Sequence, residues 1–141
     1  MADVGIVVVG EFPYAEGVGD KANLTLSEKD IQIINDVREH SKEMIVILIS
    51  GRPLIFTDHY QDVDAWIAAW LPGTEGNGIA DVLFGDYTFK GTLPFSWPRD
   101  MDQLPFDFEN LPTAGCQSPL FPLGFGLDVS HDSPPTLDEC D

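Results

Sequence analysis

Met44-Ile45-Val46-Ile47-Leu48-Ile49 decides the fold class. It is an unbroken β-branched and aliphatic run, six residues long and closed by Ser50-Gly51-Arg52-Pro53. A strand with one wet face alternates; a strand covered on both faces, as in a parallel sheet, does not. Upstream, Gly5-Ile6-Val7-Val8-Val9-Gly10 has the same continuous character and predicts a second buried strand, covered on both faces. Between the two lies a polar loop with Pro13, Gly17 and Gly19 as breakers. Thr25 or Ser27 then offers an N-cap, and Glu28 and Asp30 fall in the first turn, where the helix dipole favours acids. Ile31, Ile34 and Val37 recur at helical spacing, which predicts an amphipathic helix from Glu28 to Ser41.

Further along, Leu54-Ile55-Phe56 reads as a short extended piece and residues 57–64 as a short helical connection. Asp64-Ala65-Trp66-Ile67-Ala68-Ala69-Trp70-Leu71 is ambiguous by pattern, but its length and the Pro72-Gly73 that follows favour a strand. Trp66 and Trp70 would then share a face, with core packing as their first-choice role and sugar stacking as the alternative for Trp70. Ile79 to Phe84 suits a short helix stopped by Gly85, and Phe89 to Trp97 an extended edge piece interrupted by Pro94. From Pro98 onward a Pro-, Gly- and Asp-rich stretch predicts surface loop. The sum is an α/β fold with a mainly parallel sheet flanked by helices in flavodoxin-like layers. Residues 1–127 are expected to form the domain and 128–141 a mobile acidic tail. Three strands are few for an open parallel sheet, which leads to the expectation of further strands N-terminal to this chain.

Composition narrows the function. The 141 residues are 43% hydrophobic, enough for a core, and carry a formal net charge of -17. That charge repels phosphate backbones and anionic lipid, so neither nucleic acid nor membrane is an expected partner. No apolar run reaches the roughly 18 residues of a spanning helix. Met1 to Gly5 lacks the basic-then-apolar plan of a signal peptide. Cys116 and Cys140 admit one bond pinning the tail, or two free thiols. His40, His59 and His131 have no ligand spacing, so no metal and no cofactor are expected. Neither a phosphate-binding loop nor a Gly-x-Ser-x-Gly elbow is present. Asn23-Leu24-Thr25 is an N-glycosylation sequon, a slight pointer to secretion.

The chemistry-bearing stretch is Pro72-Gly73-Thr74-Glu75-Gly76-Asn77-Gly78. It sets a glutamate after a strand, in a glycine-rich turn, at a helix start. In an open α/β sheet that is the carboxyl edge, where ligands bind. Glu75 is therefore either an ordinary first-turn acid or a reactive carboxylate that the glycines leave approachable.

Several blocks carry a resemblance. They are Val7 to Glu16, Gly19-Asp20, Asn23 to Leu26, Ile49 to Pro53, Ala68 to Asp86, Gly91 to Pro94, Asp102 to Pro105, and Pro119 to Leu127. Taken in order, the chain resembles the C-terminal α/β sandwich domain of glycoside hydrolase family three, nearest to its β-glucosidase and β-glucan exohydrolase branch. The resemblance implies a retaining enzyme acting on β-glucosides or β-glucan oligosaccharides. An N-terminal barrel would supply the aspartate nucleophile and most glucose-binding groups, and the sandwich domain the acid/base glutamate. That role falls on Glu75. Trp70, and Glu11, Tyr14 and Glu16 on the loop after the first strand, become candidates for substrate binding, and Arg52 for tying loops together. The barrel and the first part of the sandwich domain are absent, so the chain alone is expected to be inactive, as a fragment or subunit. The implied location is extracellular, periplasmic or cell wall. Two competing functions are a non-catalytic carbohydrate-binding or protein-interaction module, and a flavodoxin-like signalling or nucleotide domain, which the missing phosphate cradle disfavours.

Overall fold

A computed structural model describes residues 1–15 and 17–126. Glu16, Leu127 and the expected tail, 128–141, lie outside the described residues. The chain divides into two compact units, Met1–Gly76 and Asn77 onward, taken here in turn.

The first unit is built on a parallel sheet of three strands in the order β1 (Ala2–Gly10), β2 (Ser41–Ile49), β3 (Ala65–Trp70). The α/β class and the parallel sheet expected from the sequence are what the chain forms. Helix α1 (Glu28–Arg38) crosses from β1 to β2 and packs on both strands. Its N-cap is Ser27: the Oγ accepts the Asp30 amide at 3.2 Å and donates to Asp30 Oδ2 at 2.6 Å. The helix stops at Arg38, short of Ser41, because Ser41 opens β2, with its Oγ donating to the Val37 carbonyl at 2.8 Å.

Ile34 from α1 meets the inner face of the sheet, where Val7, Val9, Met44, Val46 and Leu48 are all buried. Full burial of each such side chain stabilises by about 1.5–3 kcal/mol relative to exposure. β2, the central strand, is buried from Val46 to Leu48 irrespective of face. β1 is different. Val7 and Val9 are 3% and 4% exposed, but Val4, Ile6 and Val8 are 45%, 45% and 61% exposed. Within the described residues the strand expected to be covered on both faces is covered on one: composition is apolar throughout, but burial alternates, because α1 packs on the side of Val7 and Val9.

The ladder between β2 and β3 slips once. Leu48 faces Ala68, yet Ile49 faces Trp70, so one extra residue sits in β3. Trp70 takes a left-handed backbone, φ 54°, at the slip. A one-residue shift reverses side-chain phase, so Trp66 and Trp70 do not share a face as period two alone predicted. Trp66 stacks on Phe56, with centroids 4.0 Å apart, and its Nε1 donates to the Tyr60 carbonyl at 3.4 Å. Gly10 ends β1 at φ 145°, and a Cβ there would overlap the Ile49 carbonyl. The extended piece at Leu54–Phe56 exists as a bridge between Ile55 and Thr25. The helical connection is a 3-10 turn, Thr57–Asp62. Asp64 then accepts from both the Met44 amide and Arg38 Nη1, each at 2.7 Å.

Helix α2 (Gly76–Leu83) leads into the second unit, starting three residues earlier than the sequence suggested. The stretch from Phe89 to Trp97 does not form a strand. Trp97 makes one antiparallel bridge with Phe121, its amide donating to the Phe121 carbonyl at 2.8 Å. Pro94 and Pro98 on either side lack the amides a longer ladder would need. The expected loop after Pro98 holds one 3-10 turn, Met101–Gln103, capped by Asp100. Trp97 and Arg99 are buried, and Arg99 Nε donates to the Ser118 carbonyl at 3.4 Å. Cys116 is disulfide-bonded; Cys140, the other cysteine of the sequence, lies outside the described residues.

Candidate active site

All three strands point their carboxyl ends the same way, so the segments after Gly10, Ile49 and Trp70 leave one end of the sheet. The turn after β3 carries Glu75. Gly73 bends the chain at φ 59°, and the Glu75 amide closes the turn onto the Pro72 carbonyl at 3.0 Å. Only a residue without a Cβ enters that bend at little cost. Glu75 directly precedes α2, is exposed, and receives a hydrogen bond from Thr74 Oγ1 to its Oε1 at 3.3 Å.

The loop after β1 is fastened by charge. Glu11 lies in it with a side chain 4% exposed. Arg52, from the loop after β2, grips it with two bonds, Nε to Oε2 and Nη2 to Oε1, both 3.1 Å. Lys21 adds a third contact at 2.8 Å. Burial pushes the Glu11 carboxyl up, but Arg52 and Lys21 together outweigh it and hold the group below its ordinary value. Reciprocally, the Glu11 carboxylate raises the Arg52 guanidinium. Arg52 also donates to the Gly19 carbonyl at 2.6 Å and lies 4.4 Å over the Tyr14 ring. Ser50 Oγ, in turn, donates to the Arg52 carbonyl at 2.6 Å. Gly51 makes room for this packing, since a Cβ there would stand 2.7 Å from the Tyr14 hydroxyl.

The candidates from the sequence thus separate. Glu11 and Tyr14 are brought together, but through Arg52, and the Glu11 oxygens are occupied by two cations. Trp70 is half-buried, and its carbonyl accepts the Ser50 amide at 3.1 Å, joining the exits of β2 and β3. Glu75 shares the carboxyl end with them. Glu16 lies outside the described residues. The sequence reading anticipated Arg52 as a tie but not Lys21, whose signal was being one of only seven basic residues in a strongly acidic chain.

Among the described residues no group of three or more His, Cys, Asp or Glu converges as a metal site. His40 Nδ1 donates to the Asp36 carbonyl at 2.7 Å, and His59 lies 4.0 Å from Asp62, both local contacts. No helix among the described residues is long and apolar enough to cross a membrane.

Comparison with known proteins then assigns the chain. Residues 1–129 match the glycosyl hydrolase family 3 C-terminal domain. The chain belongs to glycosyl hydrolase family 3. It is 35% identical to a periplasmic β-glucosidase of Salmonella typhimurium over 92% of this chain and 19% of that protein. It is 32% identical to a lysosomal β-glucosidase of Dictyostelium discoideum, over 92% of this chain and 16% of that one. Among solved structures, the exo-1,3/1,4-β-glucanase of a Pseudoalteromonas species superposes with a TM-score of 0.76 at 36% identity, over 98% of this chain and 18% of that one. The glucose complex of the β-glucosidase from Listeria innocua superposes with a TM-score of 0.79 at 27% identity, over 90% and 20%. The family 3 chain therefore spans about a fifth of the length of the relatives it matches.

Proposed function

We propose that this family 3 domain supplies the acid/base glutamate, Glu75, to a retaining β-glucosidase or exo-β-glucanase whose nucleophile sits on a separate barrel domain. The observation that carries this reading is the placement of Glu75: exposed, in a glycine-rich turn, at the carboxyl end of a parallel sheet. A carboxylate in that position is open to a substrate held by a second body. It would protonate the departing glycosidic oxygen and then take the proton from the attacking water. Retention needs a partner carboxylate about 5–5.5 Å away. One carboxylate cannot run a double displacement, so the chain by itself is inactive in this reading. β-Glucosides or β-glucan oligosaccharides are the substrate class, in line with the names of the relatives. Their periplasmic and lysosomal settings favour a non-cytosolic location for this protein too. Asn23 of the sequon is exposed and stands open to a glycan in a secretory compartment.

The test places the chain in a barrel-bearing enzyme, for instance by substituting it for the matching segment of the Pseudoalteromonas exo-glucanase. Glu75→Ala should then slow hydrolysis of aryl glucosides by about 10²–10⁴-fold where the leaving group needs protonation. Activated leaving groups should be less affected, and azide should restore turnover by attacking the glycosyl-enzyme without a general base. An unchanged rate on poor leaving groups removes Glu75 from the mechanism.

A further inference from the structure

The second unit holds a cavity of about 490 Å³, within the range that admits small ligands. Its wall is mostly apolar. Leu120 and Phe121 are buried there, and Phe125, half-buried, stacks on Phe121 with centroids 4.5 Å apart and 16° between the planes. Burying a polar group is costly unless it is bonded. Yet three of the five buried polar residues among those described, Ser96, Arg99 and Ser118, line this one cavity. Their printed geometry fixes what each offers. Ser96 Oγ accepts the Leu123 amide at 3.3 Å, so its hydroxyl proton can donate. Ser118 Oγ donates to the Gly115 carbonyl at 2.7 Å, so its lone pairs can accept. Arg99 is held in place by its amide on Gln103 Oε1 at 2.7 Å and by Nε on the Ser118 carbonyl at 3.4 Å.

We propose that this cavity binds a neutral hexose, one face of the sugar ring against Phe125 and its hydroxyls on Ser96, Ser118 and Arg99. Three observations select that ligand class. A cation is disfavoured, because no Asp or Glu is among the described residues lining the cavity, in a chain that has 24. An anion would meet the Arg99 guanidinium, but the net charge of -17 opposes its approach. A sugar hydroxyl both donates and accepts, which matches one serine that can donate beside another that can accept. The C–H face of a sugar ring, weakly positive, suits the negative face of an aromatic ring. That the hexose is glucose rests on the β-glucoside reading proposed above; the site itself does not depend on the role of Glu75.

The experiment titrates the full 141-residue chain, labelled with nitrogen-15, with glucose and separately with inorganic phosphate. Glucose should shift the amide resonances of Ser96, Leu123 and Phe125 with a Kd in the millimolar range. Two variants then test the contacts, their unbound spectra reporting that each is folded. Phe125→Leu keeps an apolar side chain against Phe121 but has no flat face. Ser96→Ala removes one hydroxyl. Each should weaken glucose binding by about two- to tenfold, the worth of one ring contact or one hydrogen bond. Unmoved amides, shifts confined to the turn around Glu75, tighter binding of phosphate at the same amides, or an unchanged affinity in either variant overturns the proposal. Glu75→Gln should titrate as the parent does. Binding is read without turnover, so the failure of Glu75 as acid/base would leave this result standing, and the reverse.

Discussion

Replacing Arg52 with methionine keeps a side chain of similar length and removes its charge and all five donors. Two bonds to Glu11 go, as do one to the Gly19 carbonyl and the stack on Tyr14. Breaking a buried ion pair by deleting one partner costs about 3–5 kcal/mol. Two features reduce that figure. Lys21 still reaches Glu11 at 2.8 Å, and the Arg52 side chain keeps 21% of its exposure, so part of its field is already screened. The lost cation–π contact adds about 0.5–1 kcal/mol. The expected loss is therefore about 3 kcal/mol. Urea unfolding of the isolated chain at pH 7 reads it as a fall in midpoint with an unchanged slope. Arg52→Lys should recover less than half, since an ammonium cannot reproduce the two-pronged grip. The pH dependence supplies an independent sign. The folded-state value of Glu11 lies below its ordinary 4.5, so its stabilisation is full above pH 4.5 and is lost as pH falls through the lowered folded value. The gap between parent and Arg52→Met should close in that acid window. A loss under about 0.5 kcal/mol at pH 7, or a gap that widens in acid, would refute the argument that the loop is held by this pair.

Three further outcomes are expected. Ile34→Ala empties a site 1% exposed between α1 and the sheet and should cost about 2–5 kcal/mol by urea unfolding. Gly10→Ala places a Cβ against the Ile49 carbonyl at a positive φ and should cost about 1–3 kcal/mol, read as a lowered melting temperature. Glu75→Gln in the isolated chain should leave stability within about 0.5 kcal/mol, because the side chain is exposed and its visible partner is the neighbouring Thr74 hydroxyl.

The parallel sheet and the helix between its first two strands were legible because apolar runs, a cap and helical spacing all agreed. Met44 to Ile49 could hardly be anything but a buried strand, and Ser27 with Glu28 and Asp30 marked where α1 begins. What escaped were features set by neighbours rather than by local pattern. The one-sided burial of β1 depends on what packs over each face, which composition does not encode. The slip at Leu48/Ile49 depends on how β3 meets β2, so Trp66 and Trp70 fell out of phase although their spacing suggested otherwise. Phe89 to Trp97 has β-forming residues, but Pro94 within it and Pro98 just after it leave a single bridge at Trp97. At the candidate site, Glu75 stood out by its glycines, and the blocks quoted from the sequence already pointed to the family. The grip of Lys21 and Arg52 on Glu11 joins residues ten and forty-one positions apart and left little local trace.

That grip bears on which acid at the carboxyl end of the sheet can carry a proton. A general acid–base group must exist in both protonation states near the working pH. Glu11 is held by two cations and favoured as the ionised form; donating a proton would first require giving up the contacts that fix its loop. Its chemistry is therefore structural: it keeps the loops after β1 and β2 in one arrangement. Glu75 has no such cations among its described contacts and lies exposed in a turn bent at Gly73, so the proposed acid/base role asks it to break no contact that fixes a loop. The rigidity of one acid and the openness of the other are complementary. In the proposed reading Glu75 has to meet a sugar with close tolerance, which calls for firm loops at this end of the sheet, and the Glu11–Arg52 pair fastens two of the loops there.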